Sequence, residues 1–225
     1  MEVVFIRHGQ PEWIRDGLNV ENPPLTELGH VQARAMAAAL ASEHFDEVYA
    51  SPLLRARQTA APLFEALGCD ERIAPWLEEI RDPAWHGTPQ EKAQAAYEEL
   101  KGRPAEARWD GLAGGESIRE FTERIRSGAD TFFAERGMQR SDHDLPIWRI
   151  DEPGRRIALV AHAGTNSVSI AHLLGLQPTP WEWDRFVIGH TSVSRLEALA
   201  LHDGFTFSLS KLSDVEHLDA AQRTR

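Results

Sequence analysis

Short apolar runs alternate along this chain with stretches of helical length, and that alternation restricts the fold more than any single residue does. Val3-Val4-Phe5-Ile6 makes residues 2–6 a first strand. After a polar loop, Thr26 is placed to cap a helix over residues 27–42, with Val31, Ala35, Ala38 and Ala39 spaced along one apolar face. Glu47-Val48-Tyr49-Ala50 predicts a second strand, and Ser51-Pro52 offers an N-cap and a first-turn proline for a helix that runs to Leu67 and stops at Gly68. Residues 89–101 read as another helix. Ser117 and Glu120 form a capping-box pair that opens a helix to Glu135, ended by Gly137. Arg156-Ile157-Ala158-Leu159-Val160-Ala161 is a strongly apolar strand ending at His162, after which Thr165 is placed to cap a helix to Leu174 that Gly175 terminates. Strands over 192–199 and 204–210, around an Asp203-Gly204 turn, close the chain. Residues 138–156 are polar, with Pro146 and Pro153 around Ile147-Trp148-Arg149-Ile150, and read as a surface insertion or small hairpin. The pattern predicts an α/β fold: a three-layer α/β/α sandwich with a mainly parallel central sheet, in a single domain over residues 1–225.

Composition narrows the function classes. At 225 residues and 42% hydrophobic content the chain can bury one substantial core. No apolar run reaches the length of a membrane span, and Met1-Glu2 leads into a strand without a basic signal region, so the expected location is cytoplasmic, with no membrane partner. A net charge of −11 argues against nucleic acid as a partner, and an anionic substrate would need clustered arginines to bind against that field. Cys69, the sole cysteine, excludes an internal disulfide and a thiolate metal cluster; no motif surrounds it, and it reads as a packing residue.

In sheets of this kind ligands bind beyond the carboxyl ends of the strands. Three predicted strand ends deliver polar residues to that edge: Arg7-His8-Gly9, Ser51 with Arg55 one turn further on, and His162. Arg7 and Arg55 present planar forks suited to an anion, Gly9 would let a ligand approach the main chain, and N–H groups near Ser51 or Thr165 would add weaker donors. Such a set suits a phosphoryl group, whose charge spreads over its equatorial oxygens. His8, among cations, is expected to stay neutral, as an imidazole nucleophile must.

Arg7-His8-Gly9, then Pro24-Leu25-Thr26 with Gly29 and Gln32-Ala33, then Ser51-Pro52-Leu53-Leu54-Arg55-Ala56-Arg57-Gln58-Thr59-Ala60, resemble the histidine phosphatase superfamily in its phosphoglycerate mutase-like branch. Leu77-Glu78-Glu79-Ile80, Gly114-Gly115-Glu116-Ser117 and Val160-Ala161-His162 continue the likeness in the same order. The resemblance implies that His8 takes the phosphoryl group while Arg7, Arg55 and His162 hold its oxygens. It makes Glu79 the acid that protonates the leaving alcohol and then activates water, with Glu78 as the nearest alternative. Gln10 and Ala163 join Arg7, Arg55 and His162 as expected substrate contacts. No metal or cofactor is implied, the partner is a small phosphorylated metabolite, and the family leaves room for a homodimer. A metal site built from His8, His162 and Glu79 is opposed by the two arginines.

Several positions depart from the pattern. Pro11 and Ile14 stand where many relatives carry a threonine and an asparagine, leaving Gln10, Arg15 and Asn19 as candidates for a missing polar contact. Ala163-Gly164 replaces a common pair of glycines. His190 stands where an asparagine often precedes the Ser192-Val193 pair; it is either a late pocket residue or a strand start. The mutases' Arg-His-Tyr-Gly stretch is absent, and Arg81-Asp82-Pro83-Ala84-Trp85-His86-Gly87 looks more like the small phosphatases. The expected reaction is therefore metal-independent hydrolysis of a small phosphomonoester. The alternatives are a 2,3-bisphosphoglycerate-dependent mutase and a catalytically weak phosphate-binding regulatory module with a partner surface at Trp148, or at Trp181 and Trp183. Trp13, Trp85, Trp109, Trp181 and Trp183 either wall the pocket or simply pack. Arg57 reads as a surface or paired charge, and His30, His44, His143, His172, His202 and His217 as structural or surface residues.

Overall fold

Strand β1 (Glu2–Arg7) is apolar on both faces, and a computed structural model, which describes residues 1–142 and 144–225, shows why. Val3 and Phe5 face one core and Val4 and Ile6 the other, all of them at most 1% exposed. β1 pairs in parallel with β7 (Arg156–Ala161), which pairs in parallel with β4 (Glu47–Ala50).

The other side of β1 is antiparallel. β8 (Val193–Leu201) pairs with β1, then with β9 (Gly204–Asp214), and β9 leads to a hairpin of β5 (Met138–Arg140) and β6 (Trp148–Ile150). The seven-stranded order is β4-β7-β1-β8-β9-β6-β5. The expected α/β architecture forms around a parallel centre, and the two hairpins make the sheet as a whole mixed. Of the two readings of residues 138–156 the hairpin is the one that forms, as β5 and β6, and it reaches the core: Met138, Ile147, Trp148 and Ile150 are buried, which removes Trp148 as an exposed partner surface. Cys69, expected to pack, is exposed.

Helices α1 (Glu27–Leu40) and α2 (Leu54–Leu67) cover the Val4 and Ile6 face. On the opposite face, α4 (Ile118–Ala134) contributes Phe132 and Phe133, and α5 (Ala163–Leu173) contributes Ile170 and Leu173. Thr26 caps α1 as expected, but the buried face is Ala33, Met36, Ala37 and Leu40, displaced from the expected alanine stripe. The displacement follows from Gln32. It is buried because its Oε1 accepts the Gln10 N–H while its Nε2 donates to the Gln222 carbonyl and Thr224 hydroxyl, so a polar residue sits inside the contact face.

The loop after β1 forms a small hairpin, β2 (Ile14–Arg15) and β3 (Leu18–Asn19), turned by Asp16 and Gly17, both at positive φ. Asn19 fastens it to Thr88 and Pro89, ahead of helix α3 (Gln90–Gly102). Among the described residues no helix is long and apolar enough to cross a membrane.

Candidate active site

His8 sits one residue beyond β1, still inside the ladder: its N–H donates to the Ala161 carbonyl, and its carbonyl accepts from Thr191. The backbone is thereby held from both neighbouring strands. Gly9 is needed for packing: a Cβ there would lie 2.6 Å from the Gly29 carbonyl oxygen, where the loop crosses α1. That close crossing is by itself reason for the glycine. The Gly9 N–H donates to the Thr59 hydroxyl, which in turn donates to the Arg55 carbonyl, tying β1 to α2.

Two hydrogen bonds fix the tautomer of His8. Its Nδ1 lies 2.7 Å from the Gly9 carbonyl oxygen, which can only accept, and its Nε2 lies 3.3 Å from Arg55 Nε, which can only donate. Nδ1 therefore carries the proton, and Nε2 keeps its lone pair. Burial, reinforced by Arg55, His162 and Arg7, holds the pKa of His8 well below its ordinary value, so the ring is neutral.

The cations are equally constrained. Arg55 is 4% exposed, with its guanidinium 4.7 Å from the centre of the Trp13 ring. Arg7 donates to the Ile188 carbonyl at 2.6 Å. Burial lowers both arginines to about 10, so each remains charged at neutral pH. The His162 ring is 5.1 Å from that of His8, and its Nε2 lies 2.7 Å from the Ser51 hydroxyl. Ser51 is therefore not the cap of α2; the Asn22 carboxamide accepts the Leu54 N–H instead. The Ser51 N–H is taken by the Val160 carbonyl, so it is not a free anion donor. Likewise His162, not Thr165, occupies the N-cap position of α5.

Glu79 reaches the site from the loop that follows a single 3₁₀ turn, Pro75–Leu77. Its carboxylate accepts the N–H groups of Ile80 at 3.0 Å and Gly164 at 2.9 Å. A Cβ on Gly164 would lie 2.4 Å from Trp183 Nε1 and 2.5 Å from Glu79 Oε1, so this second glycine makes room for both the indole and the acid. Burial raises the Glu79 pKa, while these N–H groups, Arg55 and Arg7 pull against the rise. Glu78 is committed to Arg81 at 2.7 Å.

Arg7, His8, Arg55, Glu79 and Ala163 line one cavity of about 680 Å³, and His162 packs behind it. Gln10 does not line it; its side-chain oxygen accepts from the Thr26 hydroxyl. Arg15 pairs with Glu12 away from the cavity, and Asn19 lines it but holds the 88–89 loop. Ile14 stands in the wall where a polar contact was sought. Trp13, Trp85 and Trp183 are walls, whereas Trp109 and Trp181 are not. Among the described residues no cluster of His, Cys, Asp or Glu has the arrangement of a metal site.

The histidine phosphatase superfamily (branch 1) model matches residues 3–208. The chain belongs to this superfamily. The probable phosphoglycerate mutase GpmB of Escherichia coli O1:K1 / APEC is 26% identical over 226 residues, covering 98% of this chain and 96% of that one. Among solved structures, "Mycobacterial hydrolase 2" aligns with a TM-score of 0.72 at 26% identity, covering 98% of this chain and 93% of the other. A mycobacterial glucosyl-3-phosphoglycerate phosphatase aligns with a TM-score of 0.69 at 27% identity, covering 95% of this chain and 99% of the other.

In this member of the superfamily two supporting residues of the site, Arg124 and Thr224, went unread in the sequence. Arg124 donates to the carbonyls of Glu78 at 3.0 Å and Glu79 at 3.2 Å while paired with Glu116 at 2.7 Å, so it clamps the segment that carries the acid. Thr224 bonds His190 at 2.8 Å, and the His190 ring packs 5.6 Å from that of His8. His190 is thus a buried neighbour of the site rather than a simple strand start. Asp16-Gly17, a dipeptide typical of tight hairpins, was the one available signal for the β2–β3 turn. Arg57 pairs with Glu71, and His172 is a buried residue bonded to Asp130. His143 lies outside the described residues.

Proposed function

We propose that this protein is a phosphatase that hydrolyses a small phosphomonoester through a phosphohistidine on His8, without a metal ion. The observation that carries the reading is the pairing of a lone-pair-bearing His8 Nε2 with Arg55 on one side of a cavity that also holds the buried Glu79 carboxyl. Arg7 Nε and His162 Nδ1 are buried polar atoms with no partner among the described residues, and the oxygens of a bound phosphoryl group would satisfy them.

In the first step His8 Nε2 attacks phosphorus, the bond to the alcohol oxygen breaks, and the Glu79 proton passes to that oxygen. In the second, the Glu79 carboxylate takes a proton from water. The water oxygen attacks phosphorus, the N–P bond breaks, and inorganic phosphate leaves with His8 neutral again. The raised pKa of Glu79 suits a carboxyl that must donate and then accept. Arg7 and Arg55 would stabilise the equatorial oxygens throughout. The solved relatives include phosphatases, and one was crystallised with inorganic phosphate.

Acid-quenched against base-quenched turnover tests the reading: a base-stable, acid-labile phosphoryl adduct should form on wild type and be absent from His8→Ala, with phosphate release unaffected by EDTA. Interconversion of 2- and 3-phosphoglycerate primed by 2,3-bisphosphoglycerate would instead identify a mutase. Full activity of His8→Ala would exclude the mechanism.

A further inference from the structure

Arg7, His8, Arg55 and Glu79 form one part of the cavity wall. Beyond them, apolar and aromatic side chains (Trp13, Ile14, Ile80, Pro83, Trp85 and Trp183) share the wall with amides and carboxylates. Two of these rings are held in place, Trp13 against the Arg55 guanidinium and Trp183 stacked on Phe121 at 5.5 Å with an interplanar angle of 20°. The charged groups of this outer region are Glu21, Asp82 and the Glu78–Arg81 pair. Glu21 and Asp82 form no ion pair with a lysine or arginine among the described residues, and the one outer arginine, Arg81, is bound to Glu78 at 2.7 Å. His86 accepts the Glu21 N–H, and Tyr97 donates its hydroxyl to Asp82 Oδ1 at 2.7 Å, leaving Asp82 with further acceptor capacity. Asp82 lies within the field of Arg55, so once a phosphoryl group occupies that arginine a second anion on the substrate would meet Glu21 and Asp82, with Arg81 already bound to Glu78.

Building on the phosphatase reading above, we infer that the pocket selects a monoester with an uncharged, flat leaving group that offers a hydroxyl or amide donor to Asp82, and rejects one bearing a carboxylate or a second phosphate. The aromatic side chains of the wall would pack against the flat body of the leaving group, and the carboxylates would repel the competitor.

Two benzyl phosphates of matched size test this, one carrying a para carboxamide and the other a para carboxylate, with 3-phosphoglycerate as a third substrate. Their reactive alcohols are insulated from the substituent, so leaving-group chemistry is nearly constant. The carboxamide should be favoured in kcat/KM by about tenfold or more, the scale of one unfavourable charge contact at partly solvated distance, and Asp82→Asn should narrow the ratio. Equal rates, or preference for either carboxylate, would overturn the selectivity while leaving the phosphatase reading intact. An unchanged ratio in Asp82→Asn would remove Asp82 from it. If wild type turned over none of the three and formed no phosphohistidine with any of them, the phosphatase reading itself would fall, and this inference with it.

Discussion

The Ser51 hydroxyl lies 2.7 Å from His162 Nε2, and neither residue has any exposed surface. The contact joins the ends of β4 and β7, so a serine placed by sequence at a helix cap instead orients a histidine behind the nucleophile. Ser51→Ala should therefore leave α2 intact but cost about 1–3 kcal/mol, because a buried imidazole nitrogen loses its partner. Urea unfolding and the far-ultraviolet spectrum check this, and a loss of helix signal would return Ser51 to a capping role.

Glu79→Gln should slow hydrolysis of alkyl monoesters by about 10²–10⁴-fold, the usual contribution of a positioned acid. Esters of acidic phenols, whose leaving groups need no proton, should lose far less. A leaving-group series measured on both proteins reads the difference, and equal losses across it would assign the acid elsewhere.

Stability should fall on acidification. Burial, with Arg55 and Arg7, keeps His8 and His162 well below the ordinary value of 6.5, and burial with Arg7 brings His190 to about 3. Below about pH 6.5 the unfolded chain binds protons that the folded chain refuses, so each histidine lowers stability by up to about 1.4 kcal/mol per pH unit. Glu79, raised by burial, acts in the opposite direction between its ordinary value of 4.5 and its folded one, and offsets part of the loss. Denaturant midpoints at about pH 7.5 and about pH 5 should differ, and His190→Asn should flatten the slope by one histidine's share. An unchanged slope would show that His190 does not titrate this way.

Arg124→Met should reduce turnover by releasing the Glu78 and Glu79 carbonyls, and should destabilise the fold by about 3 kcal/mol, since Glu116 is left nearly buried and unpaired. Arg124→Lys should not restore turnover, because three donors on one nitrogen cannot reproduce the four bonds that the guanidinium fork makes to Glu116, Glu78 and Glu79. Combined kinetics and denaturation decide it: rescue by lysine would mean that charge alone suffices.

The strand-helix alternation, the Thr26 cap, the Ser117–Glu120 box and the Gly68 stop were legible because each depends on neighbours a few residues apart. The same locality explains why Arg7, His8, Arg55 and His162 could be grouped: three of them lie at or just beyond strand ends and Arg55 in the first turn of the helix after β4, and an α/β sheet gathers such ends at one edge, whereas Glu79 was named only through the family resemblance. Sequence alone did not decide what depends on contacts between distant segments. The buried face of α1 was set by Gln32 reaching the C-terminal residues Gln222 and Thr224, and the β5–β6 hairpin became core because β9 offered it an edge to pair with. The same holds for the proton on His8. The residue types made a neutral imidazole expected, but only the tertiary structure, by bringing the Gly9 carbonyl to Nδ1 and Arg55 to Nε2, fixed which nitrogen faces its partner with a free lone pair.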